Sequence, residues 1–439
     1  MVAGCIALVV KSIQSLILGV DMGDKNKRET QVLYISYDGM TDPLGQSQVL
    51  PYLCGLSAEG YKITLLSCEK PQRYQKHKQD IAAICSNAGI DWQPLMYTAT
   101  PPVLSTIKDV RNLTKTAYML HREHRFKIVH CRSYISALVG LQMKKEFGIK
   151  FLFDMRGFWA DERVDGGLWN LKNPLYKMIY GFFKKKERQY FEQADHTISL
   201  TKLGADTIHG WKEIKGQPIP IQIIPCCVDT TLFDPSQISQ QQKTEKKEEL
   251  NIPPSAIVLG YVGSIGTWYM LDEMLECYKA FKEKKPGTLM LFVTTEPEEM
   301  VRSKARQLGI DQASIIIRPA TRTEVPLYIS IMDYSLFFIK PCFSKKASSP
   351  TKQGEIMAMG VPVLCNAGVG DTDYVANKYN SGISISNFTN QAYNDAIDAL
   401  TTKQYSPEGI REGAIDFYGL TKGINSYNTV YESLLEKTN

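Results

Sequence analysis

The sequence predicts an α/β fold of two doubly wound, parallel-sheet halves joined by a hinge, and three observations carry that prediction. Short β-rich runs alternate with helical stretches from residue 32 onward, the alternation stops at a polar segment, and it restarts after a Pro-Pro pair. The 439 residues suit two to three domains at roughly 100 to 200 residues each. Hydrophobic residues at 44% and charged residues at 22% lie near the globular average, which excludes a disordered chain and a multi-span membrane protein.

In chain order, the strand candidates of the first half are Val32–Ser36, Ile63–Ser67, Ile128–Cys131, Phe151–Asp154, Thr197–Leu200 and Ile221–Ile224. The polar stretch Ser236 to Glu249 follows, and Pro253-Pro254 leads into Ile257–Val262, Leu289–Thr294, Ile315–Ile317, Tyr334–Phe338 and Val361–Cys365. The predicted division is an extension over 1–29, a first domain over 30–225, a hinge over 226–250 and a second domain over 251–405. A helix over 406–439 packs back on the first domain. Ligands of open α/β sheets bind beyond the carboxyl ends of the strands, so the active site is expected where the two halves face.

The mostly apolar run Met1 to Val20 is interrupted by Lys11 and lacks the basic flank of an export signal. Three readings stay open for it: an over-extended start with Met22 as the true one, a membrane-contacting helix, or a leader. Lysine and arginine outnumber acids by 51 to 46, a net +5 too even for a nucleic-acid binder. The ten cysteines form no CxxC pair, which points to a reducing, cytoplasmic setting. The neighbours Cys226 and Cys227 are expected free and half-buried.

The segment richest in chemistry is Ser348-Ser349-Pro350-Thr351-Lys352-Gln353-Gly354-Glu355, which runs into a short helix ended by Gly360 before the strand Val361–Cys365. The hydroxyls of Ser349 and Thr351, the free amides of a helix start and the charge of Lys352 suit a phosphate. Glu355, one turn inside, suits a ribose diol; the plain alternative is a capped helix with solvent-facing Lys and Glu.

This run, with the following Gly368-Val369-Gly370-Asp371, resembles the donor-binding segment of the family 4 (group 1) glycosyltransferases of the GT-B fold. Other pieces match that family in order. They are Tyr190 to Asp195 with Ile198 to Thr201, the hinge-like Ile224-Pro225-Cys226-Cys227-Val228-Asp229 ending at Phe233, and Leu259 to Gly266. The resemblance covers roughly residues 32 to 435. It implies transfer of a sugar from a nucleoside-diphosphate sugar, with retention at the anomeric carbon and with neither cofactor nor metal; the alternatives are a nucleotide- or sugar-binding protein of the same fold with impaired catalysis, or a nucleotide-sugar epimerase of that fold. By that resemblance Ser349, Thr351 and Lys352 serve the diphosphate, Glu355 the ribose, and Gly263 and Ser264 the close approach of the nucleotide.

The chain also departs from the family pattern. Ala347 stands where the first acid of E-x7-E belongs, and Thr267, Trp268 and Tyr269 stand where an arginine and a lysine often meet the diphosphate. Lys340, just past a strand, is the candidate substitute for one missing charge, against the alternative of a surface lysine. Gly45 and Gln46, in the turn Tyr37 to Gln48, occupy the place of the family's N-terminal glycine loop and are assigned to the donor as well, against the alternative of a loop that merely turns the chain.

The second strand end, Asp154-Met155-Arg156 through Asp161, crowds charge around aromatics. Arg156 is the candidate to orient the acceptor or a phosphate, and Asp154 or Asp161 to receive an acceptor hydroxyl, against the alternative of a structural ion-pair network. The basic, aromatic helix around Lys177, Lys184, Lys185 and Lys186 suits contact with the inner face of the cytoplasmic membrane, where a polyprenyl- or lipid-linked acceptor or a growing surface glycan would be met. Its alternative is a helix with one side in the core and solvated lysines. Asp371-Thr372-Asp373 and the histidines 121, 124 and 130 are not expected to bind metal.

Overall fold

The computed structural model describes residues 30–436, so the readings of 1–29 concern residues outside it. The chain forms two units, divided after Pro225 and again at Gly419. The first unit holds residues 30–225 together with Leu420–Glu436, and the second Cys226–Gly419.

The first unit is a seven-stranded parallel sheet built from β1 (Gln31–Ser36), β2 (Lys62–Glu69), β3 (Asp91–Met96), β4 (Ile128–Arg132), β5 (Lys150–Asp154), β6 (His196–Ser199) and β7 (Ile221–Ile223). Their spatial order is β3-β2-β1-β4-β5-β6-β7. The central strands are buried along nearly their whole length, as expected for a sheet covered on both faces. Strand β3, absent from the sequence reading, is an edge: it carries Pro94, is only half-buried, and has one neighbour.

The second unit is a six-stranded parallel sheet of β8 (Val258–Val262), β9 (Leu289–Val293), β10 (Ile315–Arg318), β11 (Tyr334–Leu336), β12 (Val363–Asn366) and β13 (Gly382–Ile385). Its order is β10-β9-β8-β11-β12-β13, with the unpredicted β13 again at an edge. Its core gathers Leu259, Tyr261, Phe292, Leu336, Leu364 and Ile397 among many others.

The whole of the expected hinge, 226–250, is part of this second unit. Val228 donates its N–H to Tyr418 O at 2.7 Å, Asp229 caps Thr231 and Leu232, and Phe233 is fully buried. Arg411 donates to the carbonyls of Thr230, Phe233 and Ala358, tying the segment down. Within the polar stretch, Gln240–Glu249 is a helix with a capping box between Ser239 and Gln242.

The tail read as one helix is two. Pro407–Tyr418 stays in the second unit, Gly419 breaks the run, and Leu420–Glu436 belongs to the first. There Tyr427 donates to Asp154 Oδ2 at 2.9 Å, Tyr431 meets His130 Nδ1 at 2.8 Å, and Tyr61 bonds Asn428. Every cysteine among the described residues is free, and Cys226 and Cys227 are buried rather than half-buried.

Candidate functional site

In the second unit, strand β8 is followed directly by Gly263, whose φ of +112° is a conformation that favours glycine. A Cβ there would lie 3.3 Å from Lys352 Nζ, so the bare turn makes room for the ammonium. Lys352 is the second residue of the helix Thr351–Ala358, and it is only 7% exposed. Its ammonium donates to Tyr261 Oη at 2.8 Å and lies 4.0 Å and 3.6 Å from the ring centres of Tyr261 and Tyr269. The Tyr261 hydroxyl donates onward to Ser264 O at 2.6 Å, so Ser264 enters through its carbonyl.

Burial pushes the Lys352 ammonium well below the ordinary lysine range, with Glu355 opposing. Among the described residues Lys352 makes no ion pair with a carboxylate. Glu355, one turn along, is engaged by Arg322 Nη1 at 2.7 Å. The plain alternative of solvent-facing Lys and Glu is thereby overturned, because both side chains are buried.

The Ser349 hydroxyl accepts the Cys226 N–H at 3.1 Å, fastening the loop before the helix, while Thr351 is half-buried at the helix start. Lys340 is exposed; its backbone N–H donates to Trp268 O, and it lines a cavity of about 450 Å³ with Gly266, Tyr269, Leu271 and Lys304. Ala347, in place of an acid, is fully buried.

In the first unit, β4 and β5 deliver Arg132 and Asp154 side by side at their carboxyl ends. Asp154 is almost fully buried, with Tyr427 on Oδ2, His130 Nε2 at 3.6 Å and Arg156 Nη1 at 3.8 Å. Burial raises the carboxyl, but Arg156, His130 and Arg132 together outweigh it and hold it below the ordinary carboxylate range. Burial keeps His130 below its ordinary value, helped by the two arginines. Arg156 sits at φ +57°, an uncommon conformation for a residue with a Cβ, and so turns its guanidinium back toward Asp154.

Asp161 joins a different cluster. It accepts Tyr180 Oη at 2.7 Å and Lys184 Nζ at 2.8 Å, and Lys184 also pairs with buried Glu187. This corrects two assignments: both Asp161 oxygens are engaged inside the fold, and Lys184 points inward rather than toward a lipid surface. Lys177 and Lys185 are exposed, and Lys186 donates to Gln189 at 3.1 Å.

The glycine loop is pinned by fully buried Glu69. That carboxylate accepts the N–H groups of Met40 and Thr41 and the hydroxyls of Thr41 and Ser67. A Cβ on Gly45 would lie 2.3 Å from Gly39 O, so Gly45 serves closure of the loop itself; Gln46, exposed, donates to Thr41 O. Among the described residues no three His, Cys, Asp or Glu side chains converge as metal ligands would. His121 and His124, near His130 in sequence, pack instead against Phe126 and Phe147 at the end of one helix, whereas His130 packs against Tyr34, Tyr427 and Tyr431.

Sequence reasoning missed Tyr261 and Tyr269 as partners of Lys352, Arg322 as partner of Glu355, and His130, Arg132 and Tyr427 around Asp154. No local pattern announces these, since each partner comes from another element.

Two separate doubly wound parallel sheets, with the last helix of the chain returning to the first unit, define a protein of the GT-B class. Family models agree in tandem: "Glycosyltransferase Family 4" matches residues 47–232 and "Glycosyl transferases group 1" residues 242–417. The chain belongs to the group 1, family 4 glycosyltransferases. A D-inositol 3-phosphate glycosyltransferase of Segniliparus rotundus is 24% identical over 195 residues, 43% of this chain but only 40% of that relative's length. Among solved structures, sucrose-phosphate synthase from Thermosynechococcus elongatus superposes with a TM-score of 0.69 at 14% identity, covering 93% of this chain and 100% of that one. Anabaena HepE in complex with UDP and glucose gives 0.65 at 10% identity, covering 92% and 100%. At these identities the likeness is one of fold.

Proposed function

We propose that this protein transfers a sugar, with retention at the anomeric carbon, from a nucleoside-diphosphate sugar to a hydroxyl of a glycan or lipid-linked acceptor in bacterial surface polysaccharide synthesis. The second unit holds the donor and the first recognises the acceptor, without a bound metal. The observation that carries this reading is Lys352, a buried ammonium at the start of a helix, set over a glycine turn and lacking a carboxylate partner among the described residues. Such a charge is costly to bury unless an anion arrives. A diphosphate supplies that anion, and Glu355, one helical turn away, suits the ribose diol.

In the reaction the bond from the anomeric carbon to the diphosphate oxygen breaks and the leaving group departs with the electron pair. The acceptor oxygen bonds the same face of that carbon, and its proton passes to the departing phosphate, so no dedicated protein base is required. Lys352, the helix amides and Lys340 stabilise the charge that grows on the diphosphate. Arg156, oriented by Asp154, is the acceptor-side group. The names of the relatives support sugar transfer, and HepE binding UDP supports a nucleotide donor.

Contact with the inner face of the cytoplasmic membrane is part of the proposal. No described helix is long and apolar enough to cross a membrane. The helix Pro174–Gln193 instead exposes Leu175, Met178 and Phe182 at 47%, 66% and 45%, flanked by Lys177 and Lys185.

Calorimetric titration with UDP, GDP, ADP and CMP tests the donor site. One nucleotide is expected to bind, and Lys352→Ala and Glu355→Ala to weaken it by about 1 kcal/mol or more. Binding without turnover would favour a second reading, a nucleotide-binding relative disabled by Ala347; no binding at all would end the donor assignment.

A further inference from the structure

The loop after β8 lacks the basic residues that would face a diphosphate and offers Trp268 and Tyr269 instead. The structure seats a lysine on each. Lys345 Nζ lies 3.7 Å from the centre of the Trp268 ring system, and Lys352 Nζ 3.6 Å from that of Tyr269. Both lysines come from another segment, Lys345 from the turn Phe343–Ala347 and Lys352 from the helix Thr351–Ala358, and both are buried.

The loop is a fixed support rather than a free strand of chain. Lys340 N–H donates to Trp268 O at 2.9 Å, Met270 N–H to Phe338 O at 3.1 Å, and Tyr269 bridges Ile339. Tyr269 N–H also closes a turn onto Gly266 O.

An aromatic face stabilises an ammonium through its quadrupole without neutralising it. A carboxylate partner would repel an incoming diphosphate, whereas a ring leaves the full positive charge available to it. For Lys352 that distinction holds directly, because Glu355 is taken by Arg322 and a phenol and two rings surround the ammonium.

We propose that Trp268 and Tyr269 are positioning residues of the donor site, whose ring faces carry the ammonium groups of Lys345 and Lys352 to the diphosphate and so replace, from another segment, the charges this loop lacks. The inference rests on the donor reading above and adds Lys345 to the groups that hold the leaving group.

The test is calorimetry on the full chain with UDP, GDP, ADP and CDP and with the matching nucleosides. Trp268→Leu and Tyr269→Leu are each expected to weaken the bound diphosphate about tenfold while changing nucleoside affinity less than about twofold. Trp268→Phe and Tyr269→Phe should recover most of what the leucine variants lose, and melting curves confirm that each variant is folded. In a Lys345→Met background, Trp268→Leu should cost little more, because the ring acts through the lysine. Leucine variants that bind the diphosphate like the wild type overturn the proposal, as does an equal loss for nucleoside and diphosphate; in both cases the donor reading stands. A wild type that binds none of the four diphosphates overturns the donor reading and this proposal together.

Discussion

Arg322 donates to Glu355 Oε1 at 2.7 Å, while its guanidinium carbon lies over the Phe233 ring, 5.2 Å from the ring centre. The arginine thus orients, from the loop after β10, the carboxylate assigned to the ribose. Arg322→Ala is expected to weaken nucleotide binding by about 1 kcal/mol, roughly fivefold. Glu355→Gln should lose a similar amount, and the double variant less than the sum, since each acts through the other. Calorimetry on the four proteins measures the coupling.

Nucleotide affinity should depend on pH through Lys352. Its proton is held less tightly than that of an ordinary lysine because the site is buried, and the diphosphate requires the charged form. Affinity is therefore expected to fall as pH rises, beginning below the ordinary lysine range near 10.4. Lys352→Arg, which stays charged, should bind less tightly but with a flatter profile. Titrations at several pH values compare the two.

Asp161 is expected to act on stability rather than turnover. Its carboxylate holds Tyr180 and Lys184, and Lys184 in turn holds Glu187. Asp161→Asn should lower unfolding free energy by about 1 to 2 kcal/mol. A chemical denaturation series and a kcat measurement separate the outcomes: an unchanged midpoint with reduced kcat would return Asp161 to the acceptor site.

Acid should loosen the first unit through His130. Its folded-state pKa lies below the ordinary histidine value of about 6.5, chiefly through burial. The unfolded chain thus binds the proton first, so this contribution to stability is complete above that value and is lost as pH falls through the folded one. The melting temperature is expected to drop from pH 7 to about pH 5, with a smaller drop in His130→Gln. Part of the slope should survive in the variant, since burial and Arg125 also lower His121.

Binding to vesicles rich in anionic phosphatidylglycerol should depend on the exposed face of Pro174–Gln193. Replacing Leu175, Met178 and Phe182 by serine is expected to weaken the partition constant about thirtyfold, about 2 kcal/mol of lost apolar burial. Lys177→Ala with Lys185→Ala should make the remainder more sensitive to salt. Lys184→Ala, an internal partner, should change melting more than vesicle binding.

Central strands were legible because burial on both faces demands unbroken apolar runs such as Val32–Ser36 and Leu289–Thr294. Strands β3 and β13 were not, because an edge has one neighbour and tolerates Asp91, Gln93 and Pro94, or a stretch as short as Gly382–Ile385. Lys352 and Glu355 stood out through their spacing on a helix start. Their partners did not, for Tyr261 and Tyr269 lie over eighty residues earlier in the chain and Arg322 sits in an unremarkable loop.

The succession of the central strands along the chain, the two-part division and the residue types of the segment 348–363 are properties of local pattern, legible in the sequence by itself. Only the tertiary structure decided that Asp161 and Lys184 spend their charges on each other, that Asp154 is held by His130, Arg156 and Tyr427, and that aromatic rings carry Lys345 and Lys352. The reason is physical. Periodicity and turn chemistry depend on neighbours in the chain, whereas the charge state and direction of a buried group depend on whichever distant elements remove its water and answer its hydrogen bonds.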